Sequence, residues 1–114
     1  EEPLLPIACG PKTETFTGQS VAKNEEKSYG PFGVAPGTLV EVTMHGEANP
    51  GDPDLYVRFN QDPTTTAYDC RPYLSGAEEK CALDVPTNGT TVHVKVRGYS
   101  AAHFNLTVTH TPMH

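Results

Sequence analysis

Hydrophobic and polar residues alternate along much of this chain. In TLVEVTMHG, Val40, Val42 and Met44 fall on one side and Glu41, Thr43 and His45 on the other. PDLYVRFN sets Leu55, Val57 and Phe59 against Asp54, Tyr56 and Arg58, which the pattern directs to solvent. KCALDV opposes Cys81, Leu83 and Val85 to Lys80, Ala82 and Asp84. TTVHVKVRG turns Val92, Val94 and Val96 inward and His93, Lys95 and Arg97 outward, and HFNLTVTH buries Phe104, Leu106 and Val108. A period of two is what half-buried antiparallel strands require, because successive side chains leave opposite faces. Weaker strands are expected around Phe16 in TETFTG and around Tyr29 and Phe32 in EEKSYGPF. No stretch repeats convincingly every 3.6 residues.

Turn chemistry separates these segments. Ala35–Gly37, Asn49–Pro53 and Thr87–Thr90 are clusters of Gly, Pro and Asn, which take tight-turn backbone angles at low cost. A chain of 114 residues is one domain with a modest core. Seven or eight short strands at this spacing predict an all-β, antiparallel β-sandwich with jelly-roll or Greek-key connections. The sandwich is expected over residues 12–110, after a linker or edge segment at 1–11 and before a flexible tail at 111–114 that is loose after Thr109. With 36% hydrophobic residues and no tryptophan, the core has to be thin and aliphatic.

Charge and cysteine content narrow the setting. A net charge of −6 with only eight scattered basic residues argues against nucleic-acid binding, which needs clustered Lys and Arg. No run of apolar residues is long enough to cross a membrane as a helix. The opening EEPLLPIACG lacks the basic start and the length of a secretory signal and is expected to be a mature or excised terminus. Cys70 and Cys81 flank a short polar loop, a setting that favours a local disulfide worth roughly 2–3 kcal/mol and a location outside the cytoplasm. The other arrangement is two reduced cysteines on facing strands. Cys9 is left over, as a free thiol or as half of a bond to something else.

Candidate chemistry is sparse. Ser20, Ser28, Ser75 and Ser100 lie in turn-like contexts and none sits in a G-x-S-x-G elbow. His45, His93, His103, His110 and His114 form no paired zinc motif; His45 and His93 read as solvated side chains. Calcium is the stronger metal candidate, through Asn24, Glu25 and Glu26 in KNEE and Asp52 and Asp54 in NPGDPD, although turn-capping explains the two aspartates more simply. Tyr56, Arg58, Tyr68, Arg71, Tyr73 and Tyr99 form the candidate binding face, since exposed Tyr and Arg give large contact area at low entropic cost. The plainer reading packs some of these rings on the sandwich edge and pairs Arg71 with Asp69 or Glu79.

GDPDLYVRF at Gly51–Phe59, PTTTAYDCRPY at Pro63–Tyr73 and SGAEEKC ending at Cys81 together resemble the bacterial pre-peptidase C-terminal (PPC) domain. VHVKVRGYSAAHFNLTV at Val92–Val108 is similar to that family's closing pair of strands, so the resemblance covers roughly Thr15 to Thr109. It implies a β-sandwich attached to a secreted bacterial peptidase, with Cys70 and Cys81 as the family's cysteine pair. The related collagen-binding domains of bacterial collagenases imply exposed tyrosines on one sheet and a calcium site near the N-terminal edge. Pro53 and the AAHFNL turn depart from the family pattern, and KNEEKSYGPF does not match the collagenase calcium ligands residue by residue.

The expectation is a non-catalytic accessory domain, with no cofactor required and calcium as the candidate ligand. It would dock a covalently linked peptidase on a macromolecular, collagen-like protein substrate in the extracellular space. The alternatives are a cleavable secretion, processing or folding-assistance domain and a calcium-binding structural module.

Overall fold

Each alternating segment is a strand, and so are the two weaker ones. The computed structural model describes residues 10–72 and 78–113, so Cys9, Tyr73 and His114 lie outside the described residues. The strands are β1 Lys12–Val21, β2 Glu26–Gly33, β3 Leu39–Gly46, β4 Pro53–Phe59, β5 Glu79–Asp84, β6 Thr91–Gly98 and β7 Ala102–His110. They form two antiparallel sheets, β1-β7-β3-β5 and β2-β6-β4. The chain changes sheet at every link between consecutive strands, so no two sequence neighbours pair. The glycine- and proline-rich turns are therefore arches across the sandwich, and β6 and β7, the expected closing pair, belong to opposite sheets. Such wholly non-local pairing is the topology that folds slowly.

The inner faces are those the alternation assigns. Val40, Val42 and Met44 of β3, Leu55 and Val57 of β4, Val92, Val94 and Val96 of β6 and Phe104, Leu106 and Val108 of β7 are all nearly or fully inaccessible. Each such side chain contributes about 1.5–3 kcal/mol on burial. Gly51, in the arch between β3 and β4, has φ +64°, and a Cβ there would strike the Ala101 carbonyl. That close approach presses this arch against the β6–β7 turn, where Tyr99 N–H donates to the Asp52 carbonyl at 3.0 Å.

The β1–β2 end is aromatic. Phe16 lies 4.9 Å from Tyr29 and 6.2 Å from Phe32, and Phe32 packs 5.3 Å from the His110 ring. Burial, then the Glu25 charge, pushes the Tyr29 hydroxyl up to about 12, and it donates to Gln19 Oε1 at 2.8 Å. The C-terminal residues differ from the sequence expectation. His110 is the last residue of β7 and is buried, with Nδ1 2.7 Å from the Gly33 carbonyl and Nε2 3.0 Å from Glu14 Oε2. It thereby joins β7 to both β1 and β2. Ala35 N–H donates to the Thr111 carbonyl at 2.8 Å, so the chain is held beyond Thr109 as well.

Replacing Phe104, fully buried between the sheets, by alanine is expected to lower the unfolding free energy by about 3–5 kcal/mol, read from the midpoint of a urea titration.

Candidate functional site: the covered face of β4

β4 is an edge strand whose free edge is closed, group by group, from outside its own sheet. The amides of Leu55, Val57 and Phe59 point away from β6. Leu55 N–H donates to Glu79 Oε1 at 2.9 Å, Val57 N–H to the Cys70 carbonyl at 2.9 Å and Phe59 N–H to Asp69 Oδ2 at 2.8 Å. The Val57 carbonyl accepts from Asp69 and Cys70 in return, at 2.8 and 3.0 Å. An exposed row of strand amides invites pairing with another chain, and the segment from 60 to 72 together with Glu79 of β5 removes that row. A Cys70–Cys81 disulfide ties the segment to β5 in the other sheet, as the sequence anticipates.

The same segment covers the outer face of β4, which corrects the sequence reading of that face. Tyr56 is only 2% exposed and Asp54 7%, although alternation sends both to solvent. The Tyr56 ring lies between Tyr68, at 5.7 Å, and the Arg71 guanidinium, 5.0 Å from its centroid. Arg71 Nη2 lies 3.3 Å from Asp54 Oδ2 and its charge also acts on Glu79, while Asp69 Oδ2 accepts the Phe59 amide. The physical reason is that this strand is sandwiched on both faces. Asp54 on the outer face is met by Arg71 of the covering segment.

Burial also shifts the acids here. It raises the Asp54 carboxyl, opposed by Arg71 and reinforced by Asp52. Glu79 is pushed up to about 7, chiefly by burial, against the Leu55 hydrogen bond and with the Asp54 charge adding to the rise. Its Oε2 is buried without a hydrogen-bond partner among the described residues. Glu79 is absent from the candidate residues read from sequence, yet the register of Cys81, Leu83 and Val85, extended back two positions, turns it inward. Glu78, by contrast, is lowered by the Gly46 amide and by His45, which it meets at 2.7 Å.

The remaining candidates are dispersed. Arg58 is half-buried at a cleft of about 260 Å³ that it shares with Asn60, Gln61, Asp69 and Asn88. Tyr99 is 65% exposed in the β6–β7 turn, at the opposite end of β4. Tyr68 is half-buried against Tyr56, and Tyr73 lies outside the described residues. Among the described residues, Tyr56, Tyr68 and Arg71 stand together while Arg58 and Tyr99 lie at opposite ends of β4.

The calcium candidates straddle a cation of the protein itself. Arg97 of β6 is in register with Glu26 of β2 on one side and Asp54 of β4 on the other. Its Nη2 donates to Asn24 Oδ1 at 2.8 Å, and Glu26 meets Lys95 at 3.2 Å. Glu25 Oε1 accepts the Ala22 amide at 2.8 Å, and Asp52 N–H donates to Ser100 Oγ at 3.0 Å. Among the described residues, no group of three or more His, Cys, Asp or Glu is placed to hold a metal ion. His45 and His93 each meet a carboxylate, Glu78 and Asp62 respectively.

Two outcomes are expected. Because the folded state raises the Glu79 carboxyl from about 4.5 to about 7, its protonated form favours folding, and that stability is lost as pH climbs through this interval. Thermal melts should show the chain less stable at pH 8 than at pH 5.5, by roughly 2 kcal/mol at about 1.4 kcal/mol per pKa unit, with Glu79→Gln flattening the slope. Arg71→Ala, which strands the buried Asp54 carboxylate, should cost about 3 kcal/mol in urea unfolding at neutral pH.

Comparison with known proteins fits this geometry. A sequence model described as the bacterial pre-peptidase C-terminal domain matches residues 31–98, which span β3 to β6 with the covering segment and the disulfide. A zinc metalloprotease of Helicobacter pylori is 43% identical over 89 residues, 78% of this chain and 33% of that protein. An alkaline serine exoprotease A of Vibrio alginolyticus is 42% identical over 67 residues, 59% of this chain and 12% of that protein. The chain thus spans a third or less of these two curated relatives. A solution structure described as vEP C-ter 100 superposes with a TM-score of 0.63 at 34% identity, covering 81% of this chain and 87% of that one. The model matches more than half of the chain and the fold agrees, so the chain belongs to the bacterial pre-peptidase C-terminal domain family.

Proposed function

We propose that this chain is a non-catalytic accessory domain of an extracellular bacterial peptidase, and that it holds the parent enzyme on a macromolecular protein substrate. One observation carries the reading: the same module is similar to short parts of a zinc metalloprotease and of a serine exoprotease. A module common to proteases of two named chemistries does not fit as the source of either one's catalytic groups. What such enzymes share is the need to stay on a polymeric substrate. Tethering raises the effective substrate concentration without altering the reaction centre. The Cys70–Cys81 disulfide supports an oxidising, extracellular setting.

Among the described residues, the accessible docking groups are Arg58, Tyr68 and Tyr99, because Tyr56 is enclosed. The 114-residue chain is expected to be retained on insoluble collagen or elastin and not on chitin. Arg58→Ala combined with Tyr99→Ala should weaken retention at least about tenfold with unchanged melting temperature, as for loss of hot-spot side chains. Passage through every protein matrix would rule out docking. Absence of these residues from the mature, active enzyme by mass spectrometry would replace docking with a processing role.

A further inference from the structure

We propose that the free edge of β5 is a self-complementary interface, through which two copies of this chain pair strand to strand about Ala82. The hydrogen-bond register fixes which groups face outward. Glu47 N–H donates to the His103 carbonyl and Val85 N–H to the Thr38 carbonyl, at 2.9 and 2.8 Å. Antiparallel ladders alternate. Odd-numbered β3 residues therefore bond β7, even-numbered ones bond β5, and within β5 Glu79, Cys81 and Leu83 face β3. The N–H and C=O groups of Lys80, Ala82 and Asp84 point away from the sheet.

The other edges are interrupted. β4 is closed by Glu79, Cys70 and Asp69. β2 shifts register between Tyr29 and Phe32, holds Pro31, which has no N–H, and has its Gly33 carbonyl taken by His110. β1 shifts register between Phe16 and Gln19, the Gly18 amide donates to Asn105 Oδ1, and Gln19 Nε2 takes the Thr17 carbonyl. Among the described residues β5 keeps an open row without a register shift, and its outward side chains Lys80, Ala82 and Asp84 are all exposed.

The order of those side chains selects the occupant. When two β5 strands lie antiparallel and centred on Ala82, Lys80 of each copy stands opposite Asp84 of the other, and the small Ala82 side chains meet at the dyad. A lysine on an edge ordinarily resists self-pairing; here an aspartate two positions past the centre answers it, twice per dimer. On the inner face the same register brings half-buried Leu83 of each copy opposite Cys81 of the other, beside the disulfide. An isologous two-fold contact needs this kind of self-complementarity. It joins two four-stranded sheets into one of eight strands. Lys80 also has an exposed contact with Glu41 at 3.4 Å, which leaves the ammonium free to shift.

The test is sedimentation velocity on the 114-residue chain between about 10 µM and about 1 mM, the range suited to a small interface. A reversible monomer–dimer equilibrium is expected. Lys80→Asp or Asp84→Lys alone should weaken it at least about tenfold, and the double exchange should restore it, because that chain is again self-complementary. Ala82→Pro, which removes an outward N–H, should leave a monomer with near-normal melting temperature; the charge exchange decides the matter if that variant fails to fold. A monomer throughout the range, or a dimer indifferent to both charge reversals, overturns the proposal. So does a monomer whose Lys80, Ala82 and Asp84 amide resonances move on adding reduced, carboxymethylated α-lactalbumin, since the edge would then take a foreign strand.

Discussion

Everything on one side of this sandwich depends on the clamp that holds the segment from 60 to 72 over β4. Three kinds of bond make the clamp. Backbone pairing of Val57 with Cys70 sets the segment's position, and the Asp69 and Glu79 carboxylates take the amides on either side. The Cys70–Cys81 disulfide crosses to the other sheet. The Asp54–Arg71 pair and the Tyr56–Tyr68 contact fill the space beneath. Without the clamp, β4 would expose a row of amides and a face bearing a carboxylate and a tyrosine; with it, β4 is among the most enclosed strands in the domain.

This arrangement redistributes what the surface offers. A tyrosine enclosed to 2% exposure cannot meet a substrate, so the docking proposed above would fall to the Arg58 cleft at one end of β4 and Tyr99 at the other. The two lie about a strand length apart, roughly 20 Å, a spacing that the proposed docking would match to an extended polymer rather than a compact ligand. β5, on the other hand, carries an open edge whose charges answer one another across a two-fold axis. Paired domains would present these contact points twice, and two weak contacts held together bind more tightly than either alone.

The fold was largely legible in the sequence because period two is a direct consequence of burying one face of a sheet. Val40, Val42 and Met44, or Phe104, Leu106 and Val108, can satisfy only one orientation. β4 shows where that logic stops. Alternation separates Leu55, Val57 and Phe59 from Asp54, Tyr56 and Arg58, but it carries no information on whether the second face meets water or another segment. The covering loop has no periodicity of its own, so its position is set by partners distant in sequence. His110 is a similar case, since a histidine near a chain end shows nothing of the Gly33 carbonyl and Glu14 carboxylate that enclose it. Glu79 lies within reach of the pattern, since the inward register of Cys81, Leu83 and Val85 extends to it at the start of β5. The acidic turns at residues 24–26 and 52–54 have Arg97, Lys95 and Arg71 beside them, neighbours that alternation does not reveal.

Amide hydrogen exchange at Leu55, Val57 and Phe59 tests the clamp most directly. In the oxidised protein these three amides, on the nominal edge of a sheet, should exchange as slowly as those of β6 at the sheet centre, and reduction of Cys70–Cys81 should speed all three together. Fast exchange at these positions in the oxidised protein, matching that of exposed loop amides, would contradict the clamp and return the outer face of β4 to solvent.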